Sequence, residues 1–210
     1  MSDINAAPPI LMIDKLNEQF VVQRAGIEDL SAILAIYNQS IAGKQATANL
    51  VPVTTEERAA WFDDHLNNPS RPIYVIKTIN TIFESDQSDQ SDQSVQIDQM
   101  EPLPTIIAWG SFSDLYERIA YHISSEISVY LHQDYQGRGL GSLLTRWMLT
   151  QAPSLGIKNV VALVFAHNQP SLGLFYKLGF EQWGYMPQVC DMQGFIADVV
   201  MLGKTITSDK

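Results

Sequence analysis

The order of the predicted helices and strands indicates one α/β domain built around a mixed sheet. Strand-like segments rich in β-branched residues alternate with amphipathic helical segments in the order β-α-α-β-β-β-α-β-α-β-β. The apolar run 160–166 is typical of a central strand that is buried on both faces. A glycine-rich turn at 136–141 leads into a further helix. With 210 residues, the chain is long enough for one domain with a full hydrophobic core.

Local sequence patterns support each element of this order. Thr54 or Thr55 is placed to cap the second helix, and Gly179 stands where the last helix is expected to end. Apolar residues at helical spacing predict the helices about 30–41, 55–66, 140–151 and 170–178. The predicted strands are 20–24, 72–78, 105–112, 121–132, 160–166, 180–186 and 197–202.

The two ends and one internal tract are expected to lie outside the packed core. The expected division is an N-terminal extension 1–19, a domain 20–204 and a C-terminal tail 205–210. Docking and disorder are both open for the apolar residues 10–13 of the extension. The tract 84–101 contains three tandem SDQ units and cannot bury a hydrophobic face, so we predict a low-complexity loop insertion. A recognition role is the alternative for that loop.

Composition and charge exclude several classes of function. The net charge of -10 and the sequence pI of about 4.7 argue against a nucleic-acid-binding protein. Cys190 is the single cysteine, which excludes an intramolecular disulfide and favours a reducing compartment. The start of the chain lacks the pattern of a signal peptide, and no apolar run approaches the ~18 residues of a membrane span. We therefore expect a cytoplasmic protein with no membrane or nucleic-acid partner.

A metal site is not expected either. The four histidines are scattered along the chain without the spacing of convergent ligands: His65, His122, His132 and His167. The predicted second helix places His65 on its solvated face.

The segment from Ser125 to Gly141 carries the strongest signal for chemistry. It reads SEISVYLHQDYQGRGLG, a strand followed by a polar turn and by glycines that open a helix. Backbone N–H groups at a helix N-terminus bind phosphate, and Arg138 adds a positive charge to the same turn. The spacing differs from the G-x-G-x-x-G of dinucleotide-binding proteins, and the G-K-[ST] of a P-loop is absent. A glycine requirement of purely structural origin is the alternative.

The turn Gln136-x-x-Gly139-x-Gly141 resembles the Q/R-x-x-G-x-G/A signature of the GNAT acetyltransferases. The resemblance extends in order from about residue 20 to 202, and it is similar in detail to the branch that acetylates phosphinothricin and methionine sulfoximine. The motifs that carry it are Ile36-Tyr37-Asn38, Pro52-Val53-Thr54, Arg58-x-x-Trp61-Phe62, Glu126-x-Ser128-Val129-Tyr130 and Trp183-Gly184-x-x-Pro187. The resemblance implies the GNAT fold, with a central, mixed, mostly antiparallel sheet flanked by helices, and a homodimer.

The same resemblance implies an acetyl-CoA-dependent N-acetyltransferase that transfers acetyl directly to a small amino-acid-like amine. Glu126 matches the glutamate that acts as catalytic base, and a carboxylate near the amine is able to take its proton. The implied acceptor-binding residues are Arg118, Tyr121, Glu126 and Ser128. The implied cofactor-binding residues are Val129, Tyr130, Leu131, Gln136, Gly137, Arg138, Gly139, Leu140, Gly141, Asn168, Ser171 and Lys177.

Four points stay open at the level of the sequence. Asn168 is equally placed to cap the helix that follows it, and Arg118 is as readily a solvated arginine. Phe175 stands where many family members have the tyrosine that protonates the leaving thiolate, and that role is not transferred to Tyr176. The alternative functions are acetylation of another amine, such as a polyamine or a protein N-terminus, and a non-catalytic acyl-CoA-binding module. The presence of Glu126 favours the enzyme.

Overall fold

A computed structural model of the chain describes residues 11–15, 18–79 and 105–206, with side chains from residue 19 onward. The SDQ tract lies outside the described residues. The described strands are β1 Leu11–Lys15, β2 Glu18–Arg24, β3 Ile73–Ile79, β4 Ile106–Asp114, β5 Ser124–Leu131, β6 Asn159–Phe165, β7 Glu181–Asp191 and β8 Ile196–Thr205. The described α-helices are α1 Leu30–Ala42, α2 Thr55–Asn67, α3 Leu140–Gln151 and α4 Gln169–Lys177. Among them, none is both long enough and apolar enough to span a bilayer.

The strands form one sheet in the order β1-β2-β3-β4-β5-β6-β8-β7. Only β5 and β6 run parallel among the described strands, and every other neighbouring pair is antiparallel. The prediction of a mixed, mostly antiparallel sheet flanked by helices is therefore confirmed. β1 falls within the segment 1–19 and pairs with β2 at one edge of the sheet, and β7 forms the other edge.

The helices cover both faces of the sheet and produce a three-layer core. Apolar residues of α1 and α2 pack with Ile73 and Val75 of β3 on one face. Residues of α3 and α4 pack with Tyr74 and Ile76 on the other face. Because successive side chains of a strand point to opposite faces, both sides of β3 are buried, and this explains its nearly continuous apolar sequence.

The start of α2 follows the pattern expected from its sequence. Thr54 Oγ1 accepts a hydrogen bond from the Glu57 N–H at 3.3 Å, and the Glu57 carboxylate accepts one from the Thr54 N–H at 2.8 Å. This reciprocal pair is a capping box, and it identifies Thr54 as the cap.

The pairing of β5 with β6 creates the feature that positions the site. The two strands pair at Ser124↔Asn159, Ser125↔Val160 and Glu126↔Val161, and the register ends there. β5 stays paired with β4 as far as Leu131, and β6 stays paired with β8 as far as Phe165. The sheet therefore opens as a wedge whose narrow end lies at Glu126.

A buried ion pair joins the start of α1 to the sheet. Lys77 Nζ lies 2.7 Å from Asp29 Oδ1, and both side chains are almost completely buried. Asp29 Oδ2 also accepts a hydrogen bond from the Gly26 N–H at 2.9 Å. Because removal of one partner leaves the other charge buried and unpaired, this pair is expected to be costly to break.

We predict that Asp29→Ala lowers the free energy of unfolding by about 3 kcal/mol because it leaves the Lys77 ammonium unpaired. The double variant Asp29→Ala/Lys77→Met removes the buried charge and is expected to recover at least half of that loss. Urea denaturation followed by circular dichroism measures both variants. A loss below about 1 kcal/mol for Asp29→Ala would contradict the prediction.

Candidate active site

The wedge between β5 and β6 contains a cavity of about 420 Å³. Three further parts of the chain complete its wall: the connection between α1 and α2, the first turns of α4, and the β7–β8 hairpin. The lining residues are Gln45, Ala46, Thr47, Ala48, Asn49, Glu126, Ile127, Ser128, Val129, Tyr130, Ala162, Leu163, Val164, Phe165, Asn168, Ser171, Phe175, Met186, Val189, Cys190 and Val199.

Glu126 stands at the narrow end of the wedge and lines the cavity. Its side chain is half-buried, and it makes no ion pair or side-chain hydrogen bond with any residue that the structure describes. Burial raises the pKa of its carboxyl above the usual value for a glutamate. A carboxylate in this setting is available to a ligand and is a better proton acceptor than an exposed one.

The part of β5 beyond Glu126 forms one wall of the cavity. Ser128, Val129 and Tyr130 all line it. The Tyr130 ring stacks on Trp109 with a centroid distance of 4.7 Å, and its hydroxyl donates a hydrogen bond to the Ala46 carbonyl at 3.3 Å. Since β6 has left the register here, the edge of β5 that faces the wedge has no strand partner in the described part of the chain.

The glycine-rich turn opens α3 in the way its sequence requires. Gly137 and Gly139 have φ values of 72° and 78°, which lie in the left-handed region that favours glycine. Gly139 is the N-cap of α3, and no side chain caps the helix there. The first N–H groups of an α-helix have no acceptor within the helix. The first turn of α3 is therefore able to donate hydrogen bonds to a bound anion.

Gly141 and its neighbours keep this helix end close to β5. A Cβ atom at Gly141 would lie 3.1 Å from Leu131 Cδ1 and 3.3 Å from Leu174 Cδ1, which is tight. Leu140 is fully buried in the core. Leu131 itself packs against the core and is absent from the cavity wall.

Two polar side chains flank the turn. The Arg138 guanidinium lies 4.7 Å from the centroid of the Tyr135 ring. Gln136 Nε2 donates a long hydrogen bond of 3.5 Å to the Leu131 carbonyl. A positive charge therefore accompanies the donors of the first helical turn.

Asn168 links α4 to the α1–α2 connection. Its Oδ1 accepts a hydrogen bond from the Ser171 N–H at 3.1 Å, so it caps α4. Its Nδ2 donates to the Gln45 carbonyl at 2.9 Å. Ser171 lines the cavity, whereas Lys177 is exposed in the last turn of α4 and lies outside the cavity wall. The cofactor roles of these three residues stay predictions.

The expected acceptor residues Arg118 and Tyr121 do not line the cavity that Glu126 lines. Both are exposed on the connection between β4 and β5, and neither belongs to the cavity wall. The Tyr121 ring contacts Tyr116 at a centroid distance of 4.9 Å. Buried Arg71 anchors this connection through Asp114 Oδ1 at 2.6 Å and the carbonyl of His122 at 2.8 Å.

Two neighbouring side chains of α4, Phe175 and Tyr176, differ in their relation to the cavity. Phe175 is buried and lines the cavity. Tyr176 is 45% exposed and lies outside the cavity wall.

The placement of His65 on a solvated face was wrong. His65 is only 6% exposed, because its ring lies against Trp61 at a centroid distance of 4.2 Å. Its Nδ1 donates to the Trp61 carbonyl at 2.8 Å, and Nε2 lies 3.0 Å from Ser113 Oγ. Burial lowers the pKa of the imidazole. Within the described ranges, no group of three or more His, Cys, Asp or Glu side chains is arranged to hold a metal ion.

Sequence reasoning did not identify the segment 45–49 as part of the site. Tyr37 holds this segment, because its hydroxyl donates to Asn49 Oδ1 and also hydrogen bonds to Thr47 Oγ1, each at 2.6 Å. The Lys44 ammonium donates to the Met192 carbonyl at 2.7 Å. An irregular segment carries no periodic pattern, so the only sequence signal was the motif that contains Tyr37.

Comparison with known proteins agrees with this geometry. Residues 58–180 match the acetyltransferase (GNAT) family. The chain is 37% identical over 179 residues to a Bacillus subtilis protein named "Putative phosphinothricin acetyltransferase YwnH", with coverage of 85% of this chain and 94% of the relative. It is 30% identical over 181 residues to a Pseudomonas aeruginosa L-methionine sulfoximine/L-methionine sulfone acetyltransferase, with coverage of 86% and 91%.

A solved structure supports the same assignment. The structure of yncA from Salmonella typhimurium, which holds its cofactor acetyl-CoA, is 25% identical to this chain, with a TM-score of 0.72. The alignment covers 91% of this chain and 96% of that one. Together with the wedge in the sheet and the glycine turn of α3, these matches show that the chain belongs to the GNAT acetyltransferase family and is an N-acetyltransferase.

Proposed function

We propose that the protein acetylates the amine of a small amino-acid-like acceptor of the phosphinothricin, methionine sulfoximine or methionine sulfone type by direct transfer from acetyl-CoA. The observation that carries the proposal is the position of Glu126, a half-buried carboxylate that faces a small cavity at the point where β5 and β6 separate. The names of the Bacillus and Pseudomonas relatives support the acceptor class.

The residues around the wedge fit acetyl-CoA, which supplies an activated acetyl group as a thioester. The uncapped first turn of α3, with Arg138 beside it, suits the pyrophosphate. The edge of β5 from Val129 to Leu131, which has no strand partner among the described residues, suits the amide-bearing pantetheine arm and a donor to the thioester oxygen. An acidic protein is thus able to hold a polyanion through local backbone donors.

Glu126 has two tasks in the proposed reaction. An amino acid carries an ammonium group at neutral pH, and the Glu126 carboxylate binds this group and then accepts its proton, directly or through water. The free amine attacks the thioester carbonyl carbon, a C–N bond forms, the C–S bond breaks, and the second proton that the nitrogen loses passes to water. The departing thiolate takes a proton from water in this scheme, because Phe175 has no proton to donate and Tyr176 lies outside the cavity.

The size and lining of the cavity favour a small acceptor over a peptide. About 420 Å³ matches the pockets that bind small molecules, and Met186, Val189 and Phe165 supply apolar surface to it. Polyamines, protein N-termini and a non-catalytic acyl-CoA-binding role are the competing possibilities. The homodimer and the cytoplasmic location stay predictions, and the apolar side chains Trp183 and Tyr185 on the edge strand β7 support a homodimer.

We predict that Glu126→Gln lowers kcat/KM for the acceptor about 10²- to 10³-fold, because the amide cannot take a proton from the ammonium group. The affinity for acetyl-CoA should stay within about twofold, since Glu126 lines the cavity whereas the turn 136–141 lies outside the cavity wall. A thiol-release assay measures the rate, and titration calorimetry measures the affinity. Exposed Glu181 offers a matched control in Glu181→Gln. Near-normal turnover of Glu126→Gln would remove Glu126 from the mechanism.

We predict that kcat/KM falls as the pH is lowered through the raised pKa of Glu126. The carboxylate is ionised above that pKa and protonated below it, so the base is lost on the acidic side. The midpoint of the acidic limb should lie above the usual range of a glutamate because burial raises the pKa. A pH–rate profile of the wild type and of Glu126→Gln measures this. Persistence of the same limb in Glu126→Gln would assign it to another group.

We predict that Gly139→Ala raises the KM for acetyl-CoA at least about tenfold, because a Cβ atom at φ 78° strains the turn that presents the donors. Gly156 has φ 75° and lies at the end of a short helical turn after α3, with no atom within 4 Å of an added Cβ. Gly156→Ala is therefore a control with the same backbone strain. Steady-state kinetics with both variants should separate a loss of acetyl-CoA binding at the turn from a general effect of backbone strain. An equal KM for acetyl-CoA in both variants would contradict the prediction.

A further inference from the structure

Arg58 is a charged residue that has no task in the reaction proposed above. It lies in the first turns of α2 and is half-buried. Its Cζ stands 3.8 Å from the centroid of the Trp61 ring, which is three residues along the same helix, and 5.5 Å from the Tyr37 ring. Two aromatic rings therefore hold the guanidinium in place.

The Arg58 guanidinium has no anionic partner among the residues described. The described Arg and Lys ion pairs are Arg71–Asp114 and Lys77–Asp29, and no side-chain hydrogen bond of Arg58 accompanies them. Burial lowers the pKa of the guanidinium, so part of its hydration has been lost without a compensating carboxylate. The protein has a net charge of -10, yet no described carboxylate pairs with this half-buried cation. Arg58 is therefore suited to bind an anion from outside the chain.

Two aromatic rings connect the guanidinium to the wall of the Glu126 cavity. The Tyr37 ring, 5.5 Å from Arg58, contacts the Tyr130 ring at a centroid distance of 5.1 Å. Tyr130 and Glu126 both line the cavity. Burial is the main reason that the pKa of Tyr130 is raised, and the charges of Arg58 and Glu126 act on its hydroxyl in opposite directions. Tyr130 is therefore within electrostatic reach of both charged groups.

We propose that Arg58 binds the carboxylate of the acceptor while Glu126 binds its ammonium group. This inference rests on the proposed function and names the residue that selects an amino acid over a simple amine. A guanidinium that stacks through its face keeps its N–H donors at its edge, where they are able to bind a carboxylate in bidentate fashion. A cation and an anion flanking Tyr130 match the two charges of a zwitterion.

Arg58 is better placed for this role than Arg118. Neither arginine lines the cavity itself, but Arg118 is exposed on the β4–β5 connection, and no aromatic ring contact fixes its side chain among the described residues. Arg58 is fixed by Trp61 and Tyr37, and the Tyr37 hydroxyl is in turn fixed by Asn49 on the cavity wall. The loss of side-chain entropy on binding is therefore smaller for Arg58.

The test compares two acceptors that differ only in the carboxylate: L-methionine sulfone and its descarboxy analogue, 3-(methylsulfonyl)propylamine. For the wild type, kcat/KM should favour the amino acid. Arg58→Gln should raise the KM for the amino acid about 10- to 100-fold and leave the descarboxy amine within about threefold, so that the preference collapses. Arg58→Lys should keep part of the preference because it keeps the charge. Exposed Arg146 on α3 provides the control Arg146→Gln, which should behave as the wild type.

Binding provides a readout that does not depend on turnover. Titration calorimetry of L-methionine sulfone into enzyme saturated with CoA should show a Kd raised by the same factor in Arg58→Gln, with an unchanged Tm. If Arg58→Gln is too unstable to assay, Arg58→Lys replaces it in the comparison. Lysine cannot bind a carboxylate in bidentate fashion, so the Kd for L-methionine sulfone should still rise.

Several outcomes would overturn the inference. Equal losses for both acceptors in Arg58→Gln would reduce Arg58 to a packing role against Trp61. Collapse of the preference in Arg118→Gln with retention in Arg58→Gln would transfer carboxylate recognition to Arg118. In both cases a wild-type preference for the amino acid leaves the proposed function intact. A wild type that turns over or binds the descarboxy amine as well as the amino acid would instead refute the amino-acid acceptor, and this inference with it.

Discussion

The separation of β5 from β6 after three residue pairs is the constraint on which the other features of the site depend. A continuous sheet would satisfy the backbone groups of β5 and would leave no room between the two strands. Because β6 turns to β8 while β5 follows β4, one strand edge is exposed inside the protein and a cavity forms beside it. Glu126 occupies the last paired position, so its carboxylate stands at the vertex of that cavity. The start of α3 reaches the same strand because Gly141 allows close contact with Leu131.

The electrostatics of the site are local and differ from those of the whole molecule. A net charge of -10 repels anions at a distance, yet the proposed reaction needs an anionic coenzyme and an acceptor with a carboxylate. In the proposed arrangement, the uncapped backbone amides of α3 and the stacked guanidinium groups of Arg58 and Arg138 bind these anions at short range. In the proposed arrangement, the acidic character that remains at the site is concentrated in Glu126, where the reaction needs a base.

Much of the fold was predictable because its elements follow strong periodic patterns. The alternation of apolar runs predicted the order of eleven elements. Thr54 and the glycines around Gly139 indicated where α2 and α3 begin. Other features depend on contacts that no local pattern records. His65 is buried because Trp61 and Ser113 enclose it, and Asn49 reaches the cavity because Tyr37 holds it there. The lack of an anionic partner for Arg58 among the described residues is visible only in the three-dimensional structure.

The double use of Asn168 has a consequence for how acceptor preference is able to change. One side of its amide caps α4 and the other binds the Gln45 carbonyl, so the segment 45–49 and the helix α4 share a single side chain. Remodelling of 45–49 would therefore disturb α4 as well. Met186 and Val189 of β7 reach the cavity with apolar side chains that have no hydrogen bonds to lose. Substitutions that adapt the enzyme to new acceptors are therefore expected on β7, because they change the shape of the cavity without breaking the hydrogen bonds that join 45–49 to α4.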